Sequence, residues 1–163
     1  MNLYMKQKIF SLNDKYDIYN ENQEMVYNAS GEVFALGNKI HLYNSIGEEL
    51  IFIKQKLLRL MPAFEIYMGE SLVATVSQEF TLFHKKINVD SQYGKLVING
   101  DFWDHEYTIT ANGSVLVTVS KKWLAWGDVY SININTKKNQ EFLVALVLVV
   151  DCILEGEENS AML

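Results

Sequence analysis

The sequence predicts a mainly β fold in which about twelve short antiparallel strands surround one hydrophobic C-terminal helix. Short runs rich in Val, Ile, Tyr and Phe recur between Asn, Gly, Asp and Ser, which is typical of many short strands joined by turns. Residues 142–154 form a different kind of block, because Asp151 is their only charged residue and no turn former interrupts them. A block of this kind indicates a buried segment around which a sheet can close.

The strands are assigned from runs of four to seven residues with strand-forming side chains. In the run 115–121, Val115, Val117 and Val119 alternate with other residues, which predicts one apolar face as in a half-buried antiparallel strand. The predicted strands are 8–11, 16–19, 25–28, 39–43, 50–56, 63–68, 72–77, 85–90, 95–99, 106–110, 115–121 and 128–134.

A weak internal repeat with an offset of 43 residues supports a hairpin architecture. The triplet 75–77 is repeated as 118–120, and each copy belongs to a unit of strand, Gly turn and strand. Asn112 and Gly113 give the strongest turn signal, because both residues tolerate the positive φ of a tight hairpin. The repeat therefore predicts successive hairpins in a meander.

The apolar block is predicted to be a helix over residues 140–154. Its thirteen positions exceed the ~5–6 residues of a typical strand, and Asn139 with Glu141 supplies an N-cap and a first-turn acid. A bilayer-spanning helix needs ~20 apolar residues, so a core helix is favoured over a transmembrane one. Gly156 marks the expected end, and the acidic residues 155–163 are expected to form a disordered tail.

Composition limits the class of protein. The 163 residues suit one domain, assigned to residues 1–154, and 49% hydrophobic with 21% charged residues excludes general disorder. Twenty acidic against fourteen basic residues argue against nucleic acid as the partner. The single cysteine, Cys152, excludes an internal disulfide and a cysteine zinc site, and we expect an inert buried thiol. The first residues contain no apolar signal core, so a cytoplasmic location is expected.

Four segments resemble one family. FSLNDKYDIYN, PAFEIYMGESLVATVS, WGDVYSINI and LVLVVDCIL, in this order, are similar to the tubby C-terminal-like superfamily and, within it, to the bacterial and plant LURP-one-related group. The resemblance covers about residues 10–154 and implies a twelve-stranded antiparallel barrel closed around a hydrophobic C-terminal helix. Other members of the superfamily bind phosphoinositides or are phospholipid scramblases, so it also implies a possible role at lipid surfaces.

Two expectations from the superfamily do not transfer to this sequence. No lysine matches the phosphoinositide site of tubby proteins residue by residue. The scramblase calcium site lies in an acidic segment before the final helix, but residues 133–138 here contain no carboxylate. Neither phosphoinositide specificity nor calcium dependence is therefore predicted, and no cofactor or metal is expected.

Basic residues gather near predicted strand ends, and they are the candidate binding site. On one rim of the barrel, beside Leu57, Leu58 and Met61, they would form an anion-binding patch suited to lipid headgroups. The alternative is that they provide solubility and protect strand edges. The candidate residues for anionic lipid are Lys54, Lys56, Arg59, Lys85, Lys86, Lys121 and Lys122.

The segment around Asp104, His105 and Glu106 contains residue types that could build an acid/base pair or a metal site. Adjacent strand residues point to opposite faces, and the sequence has no HxH or HExxH spacing, so a polar turn is favoured over catalysis. Trp123 and Trp126 could stack on a ligand, although packing is favoured. Asp151 is interpreted as a structural anchor rather than a functional acid, and it should either reach the mouth of the barrel or accept hydrogen bonds from backbone or hydroxyl groups.

These observations predict a non-enzymatic binding or scaffold module. Its expected partner is an anionic membrane lipid, contacted peripherally and without a membrane span, or another protein. The alternative is a small-molecule-binding protein or an enzyme with a site at the end of the barrel. The sequence does not indicate an oligomeric state.

Overall fold

The computed structural model describes residues 1–8, 12–79, 84–124 and 127–163. The side chains of Asp14 and of residues 123, 124, 127 and 128 lie outside the description. The described elements are β1 (Asn2–Gln7), β2 (Asp14–Tyr19), β3 (Met25–Gly31), β4 (Lys39–Asn44), β5 (Glu49–Gln55), β6 (Ala63–Met68), β7 (Ser71–Glu79), β8 (Lys86–Ser91), β9 (Gly94–Asp101), β10 (Glu106–Ala111), β11 (Ser114–Leu124), β12 (Gly127–Ile134) and α1 (Gln140–Ala161).

The strands form a closed antiparallel barrel in which each strand pairs with its neighbours in sequence. β1 pairs with β2 on one side and with β12 on the other, and this last pairing closes the sheet. Closure leaves no edge strand whose N–H and C=O groups are unpaired. The predicted fold class, a closed twelve-stranded barrel around a C-terminal helix, is confirmed.

The helix occupies the centre of the barrel. Every residue from Phe142 to Leu154 is buried, and all of these except Asp151 belong to one hydrophobic cluster with the inward side chains of the strands. A helix that is apolar all round needs contacts on every side, which a closed sheet provides. The α-helix also satisfies its own backbone hydrogen bonds, so no ladder partner is needed inside the barrel.

The sequence analysis did not predict the first described strand, which spans Asn2–Gln7. The strand predicted at residues 8–11 lies outside the described residues except for Lys8. Leu3 and Met5 point inward and are buried, so inward and outward side chains alternate in this strand, but only over a few residues. The strand is recognisable mainly from its pairing with β12, which is distant in sequence.

Bulges change the alternation that the sequence suggested. In the β10–β11 pair the register shifts between Ile109 and Thr110, so Leu116 has no partner there. Val117 and Val119 are buried as predicted, but Val115 lies on the outside and Leu116 turns partly toward the core. A bulge inserts one extra residue into a strand and so reverses the faces beyond it.

The predicted hairpin at Asn112 and Gly113 is confirmed. β10 ends at Ala111 and β11 begins at Ser114, which leaves a two-residue loop. Both loop residues have positive φ, 49° for Asn112 and 79° for Gly113. This is the geometry that matches the right-handed twist of two paired strands.

Both ends of the helix differ from the sequence-based expectation. Asn139 occupies the N-cap position, but its φ of 53° is left-handed and its side chain makes no capping hydrogen bond. The helix continues past Gly156 to Ala161, so residues 155–161 are helical rather than a disordered tail. Glu155 and Glu157 contribute to this extension because they contact strand residues, as described below.

The alternating strand directions define two ends of the barrel. We call the end at which α1 begins the lower end and the end at which α1 finishes the upper end. The β3–β4 loop (residues 32–38), the β5–β6 loop (56–62) and the β9–β10 loop (102–105) all lie at the upper end. The tight turns at residues 45–48 and 112–113 lie at the lower end.

Candidate binding surface at the upper end of the barrel

The topology brings all seven predicted basic residues to the upper end. They lie in the last residues of β5, in the β5–β6 loop, immediately before and at the start of β8, and in the last residues of β11. Strands β5 and β11 finish at this end, and β8 starts there. The residues are Lys54, Lys56, Arg59, Lys85, Lys86, Lys121 and Lys122.

Two of these lysines form ion pairs with carboxylates of neighbouring strands. Lys56 Nζ lies 3.2 Å from an oxygen of Glu65, and Lys86 Nζ lies 3.7 Å from an oxygen of Glu79. The pKa of Glu65 is lowered, first by a hydrogen bond from the Tyr67 hydroxyl and then by one from Lys56. Lys56 and Lys86 are therefore partly neutralised within the protein.

Lys85 links the end of the helix to the β9–β10 loop. Its ammonium group pairs with Glu157, which is on the part of α1 that the sequence analysis had assigned to a tail. The same ammonium lies 5.5 Å from the ring centre of Phe102 and 5.6 Å from that of Trp103. These distances are typical of cation–π contacts. Lys85 thus stabilises the upper end, which limits its availability to an external anion.

The other side of the helix end is also attached to the barrel. Glu155 lies 3.5 Å from Lys15 Nζ and accepts a long hydrogen bond of 3.4 Å from Gln7. Glu157 accepts a hydrogen bond of 3.2 Å from Gln78 Nε2. The last turns of α1 therefore close the upper end of the barrel through polar contacts.

Arg59 and Lys122 are exposed and form no ion pair with any carboxylate in the described ranges. Lys54 is also exposed and lies opposite Glu65 in the β5–β6 ladder, where its charge helps to lower the pKa of that carboxyl. The predicted basic surface is thus divided into residues with internal partners and residues that face solvent.

The upper end also carries large exposed apolar side chains, several of which the sequence analysis missed. Phe34, Leu58 and Leu60 are fully exposed, and Leu36 is 81% exposed. These side chains come from the β3–β4 and β5–β6 loops. The signal was available in the sequence, because Phe34 and Leu36 lie in a segment between two predicted strands, where apolar residues have no core to fill.

These two loops are in contact with each other. The Gln55 side-chain oxygen accepts hydrogen bonds from Asn38, 2.9 Å from the backbone N–H and 3.2 Å from the side-chain amide. A Cβ added at Gly37 would come within 2.7 Å of a Leu57 methyl carbon. Glycine at this position therefore permits the close approach of the β3–β4 loop to the β5–β6 loop.

Asp151 lies just inside the upper end, as a buried anchor. The Tyr16 hydroxyl donates a hydrogen bond to the carboxyl group of Asp151, a residue that is 7% exposed. Burial raises the pKa of Asp151 to about 7, although the hydrogen bond from Tyr16 acts in the opposite direction. The expectation that Asp151 needs a hydroxyl or backbone donor is confirmed.

Residues 102–105 form a turn and Glu106 begins β10, so the segment 104–106 is not an acid/base centre. Asp101 accepts hydrogen bonds from the N–H groups of Trp103 and Asp104, and His105 has a left-handed φ of 52°. The His105 ring packs edge-on against Tyr130, and burial lowers its pKa. Asp104 and Glu106 are exposed, so the three side chains do not converge on one point.

Other candidates from the sequence give no site among the described residues. Within the described ranges, no three His, Cys, Asp or Glu side chains are arranged to hold a metal ion. Cys152 is buried, and burial raises the pKa of its thiol to about 12. Trp126 and the side chain of Trp123 lie outside the description. No helix in the part of the chain that is described is long and apolar enough to cross a membrane.

Comparisons with known proteins agree with this architecture. The chain is 33% identical over 160 residues to the uncharacterized protein YxjI of Bacillus subtilis (strain 168), with 98% of both chains covered. The X-ray structure of the Arabidopsis thaliana protein AT5G01750 superposes with a TM-score of 0.69 over 92% of this chain and 88% of that one. At 16% identity, this second likeness shows the fold alone. Because residues 1–151 match the LURP-one-related family, the chain belongs to that family.

Proposed function

We propose that the protein is a non-enzymatic docking module that binds anionic membrane surfaces peripherally through the upper end of its barrel. The observation that carries the proposal is the group of fully exposed apolar side chains, Phe34, Leu58 and Leu60, on two contacting loops. Exposed apolar groups beside basic residues are typical of surfaces that bind lipid or protein.

The backbone of these loops supports a functional role. Phe34 has a φ of 65° and Leu58 a φ of 57°, although bulky side chains rarely occupy the left-handed region. Such conformations cost about 1–3 kcal/mol each, and they are concentrated at functional sites. In both loops this unfavourable backbone accompanies an apolar side chain directed into solvent.

The charges of the upper end support a moderate electrostatic attraction to an anionic surface. Arg59 lies between Leu58 and Leu60, and Lys54 and Lys122 are exposed at the same end. Each basic residue near an anionic membrane contributes about 1 kcal/mol. Lys56, Lys85 and Lys86 contribute less, because carboxylates of the protein already pair with them. Apolar insertion should therefore account for most of the affinity, and electrostatics for the lipid preference.

Liposome flotation tests the proposal. The protein should float with vesicles that contain an anionic phospholipid and float less with vesicles of phosphatidylcholine alone. The double variant Leu58→Glu and Leu60→Glu should bind at least about tenfold less, because burying each Leu contributes roughly 1.5–3 kcal/mol. Ile46→Glu is the matched control, since Ile46 is 77% exposed but lies at the lower end, and it should bind as the wild type does.

Two results would contradict membrane docking. Failure of the wild-type protein to float with either vesicle would exclude the bilayer as the partner of this surface. Equal loss of flotation in the Ile46→Glu control would show that the effect does not depend on the upper end. Melting curves of the variants separate these results from unfolding, because all three substituted side chains are exposed.

A further inference from the structure

Exposed apolar residues are found on several sides of the upper end. Six pairs of consecutive strands are joined at this end, and we call the ring of these connections the upper rim. Besides Phe34 and Leu58, the β1–β2 connection carries Leu12, which is 91% exposed, and the β9–β10 loop carries Trp103, which is 77% exposed. Four connections of the upper rim therefore present a large apolar residue to solvent.

These residues include pairs on opposite sides of the barrel. In the closed strand order, the β9–β10 loop is three connections away from the β3–β4 loop in either direction, so Trp103 lies across the barrel from Phe34. Lys122, near the end of β11, lies in the same way across from the β5–β6 loop and its Arg59. Apolar and basic groups are therefore distributed around the upper rim and are not confined to one side of it.

The lower end of the barrel does not share this property. Among the large apolar residues described there, Ile46 is 77% exposed and none of the others is more than 52% exposed. Single exposed apolar residues are normal on a protein surface, but a group of them at one place marks a surface that binds a partner. The difference between the two ends therefore assigns the contact to the upper rim.

The last turns of α1, which lie inside the upper rim, do not oppose contact with an anionic surface strongly. Glu155 pairs with Lys15, and Glu157 pairs with Lys85. Each pair brings one negative and one positive charge to the centre of the upper end. The helix end therefore adds little net charge to the surface that would face a membrane.

The side of Trp103 depends on its aromatic ring rather than on positive charge. Asp104 and Glu106 are exposed beside it, so this part of the upper rim does not attract anions. An indole has an apolar body and a polar N–H group, which suits it to the boundary between hydrocarbon and headgroups. Trp103 can therefore anchor its side of the upper rim although the neighbouring charges are negative.

We propose that the upper rim contacts the membrane on both sides of the barrel, so that the barrel axis lies along the bilayer normal and Trp103 inserts opposite Phe34. A flat bilayer reaches residues on opposite sides of a ring together only in this orientation, whereas a tilted barrel leaves one of them in water. This upright orientation rests on the proposed docking to anionic membranes, and it adds Leu12 and Trp103 to the contact.

Tryptophan emission in the presence of brominated lipid tests the orientation. The vesicles contain phosphatidylcholine and phosphatidylserine, and the phosphatidylcholine is either ordinary or brominated on its acyl chains, which quenches an indole in contact with it. Trp103→Phe gives the emission of the remaining tryptophans, and Phe34→Trp or Ile46→Trp is then added to that variant. Bromine should lower the emission of Trp103 and of the indole introduced at residue 34, and it should leave the indole at residue 46 unchanged.

Substitution of Trp103 provides a second measurement. Trp103→Glu should bind the anionic vesicles about tenfold more weakly in flotation, because a charge replaces an apolar ring at the interface. Trp103→Phe is the matched control and should retain most of the binding. Melting temperatures should be similar for the two variants, since Trp103 is exposed.

The outcomes separate the orientation from docking itself. If a protein that floats shows no quenching at residue 34 or at Trp103, or if a folded Trp103→Glu variant floats as the wild type does, the upright orientation is overturned while docking to the bilayer stands. Quenching at residue 46 would overturn the orientation and also the assignment of docking to the upper end. A wild-type protein that floats with neither kind of vesicle would overturn docking and the orientation together.

Discussion

At the scale of single residues, the most unusual group is the carboxyl of Asp151. It is the only charged side chain in the buried part of the helix, and it is held by the Tyr16 hydroxyl. An aspartate in this position would be costly if it were ionised without compensation. Burial raises its pKa from an ordinary value of 3.8 to about 7, so the protonated form predominates below neutral pH and the two forms are about equally populated near pH 7.

This pKa predicts an unusual pH dependence of stability. Between about pH 4 and pH 7 the folded protein binds more protons at Asp151 than the unfolded chain does, so the free energy of unfolding falls as the pH rises. Asp151→Asn removes this titration and keeps an acceptor for Tyr16. The variant should therefore be more stable than the wild type at pH 8, by up to a few kcal/mol, and should lose that advantage near pH 4.

Urea denaturation of both proteins from pH 4 to pH 8 would measure this difference. Subtracting the two curves removes the contributions of the other titrating groups, because they are common to both proteins. A difference that stays constant across the range would contradict the assigned pKa. A wild type that gains on the variant as the pH rises would contradict the sign.

At the scale of elements, the central helix is the element for which the prediction from the sequence agrees best with the structure. The absence of charges over residues 142–150 predicts burial on all sides, and every one of these residues is buried. The end of the helix was harder to predict, because Gly156 is a poor helix former and Glu155 and Glu157 resemble a solvated tail. Their partners are distant in sequence, since Lys15 lies in β2 and Lys85 immediately before β8, so only the folded barrel brings them within reach.

Substitution of a central helix residue tests the buried helix. Val147 has no exposed surface, and Val147→Lys would place a charge in the packed core. We expect a loss of several kcal/mol, which is enough to prevent stable folding. Val115→Lys is the control, since Val115 is 43% exposed, and it should change stability little. Thermal unfolding of both variants, monitored by circular dichroism, would compare their stabilities. A Val147→Lys protein that melts like the wild type would exclude the buried-helix arrangement.

The hairpins show a repeat that the sequence analysis did not use. Asn20 and Asn44 are 24 residues apart, and each precedes a Glu by four residues. In both turns the Asn side-chain oxygen accepts two backbone N–H groups, at 2.9 and 3.0 Å for Asn20 and at 3.1 and 2.9 Å for Asn44. This turn is predictable from local sequence, because an Asn side chain can bond the backbone that follows it. The bulges beside these turns were not predicted.

At the scale of the whole molecule, the barrel depends on the pairing of its first and last strands. β1 contributes Leu3 and Met5 to the core and pairs with both β2 and β12. Without β1, two strand edges and one side of the helix would be exposed to water. The closed sheet is therefore expected to fold as one cooperative unit.

Deletion of residues 1–7 tests this dependence on closure. The shortened protein should show no cooperative thermal transition and should aggregate, because unpaired edges and apolar surface are exposed together. Deletion of residues 162–163, which are exposed, is the control and should leave the transition unchanged. Differential scanning calorimetry and size-exclusion chromatography would distinguish the two proteins. A cooperative transition at the wild-type temperature in the protein lacking residues 1–7 would contradict the role of β1.

By itself, the sequence determined the fold class, the burial of the helix and most of the strands, because alternation and apolar length are local properties of the chain. The tertiary structure decided which residues meet. It placed the seven basic residues and the exposed side chains of Phe34 and Leu58 at one end, and it paired three of those lysines with carboxylates. It also brought Leu12 and Trp103 to the same end. These features depend on strand direction, bulges and contacts between distant segments, which local patterns do not encode.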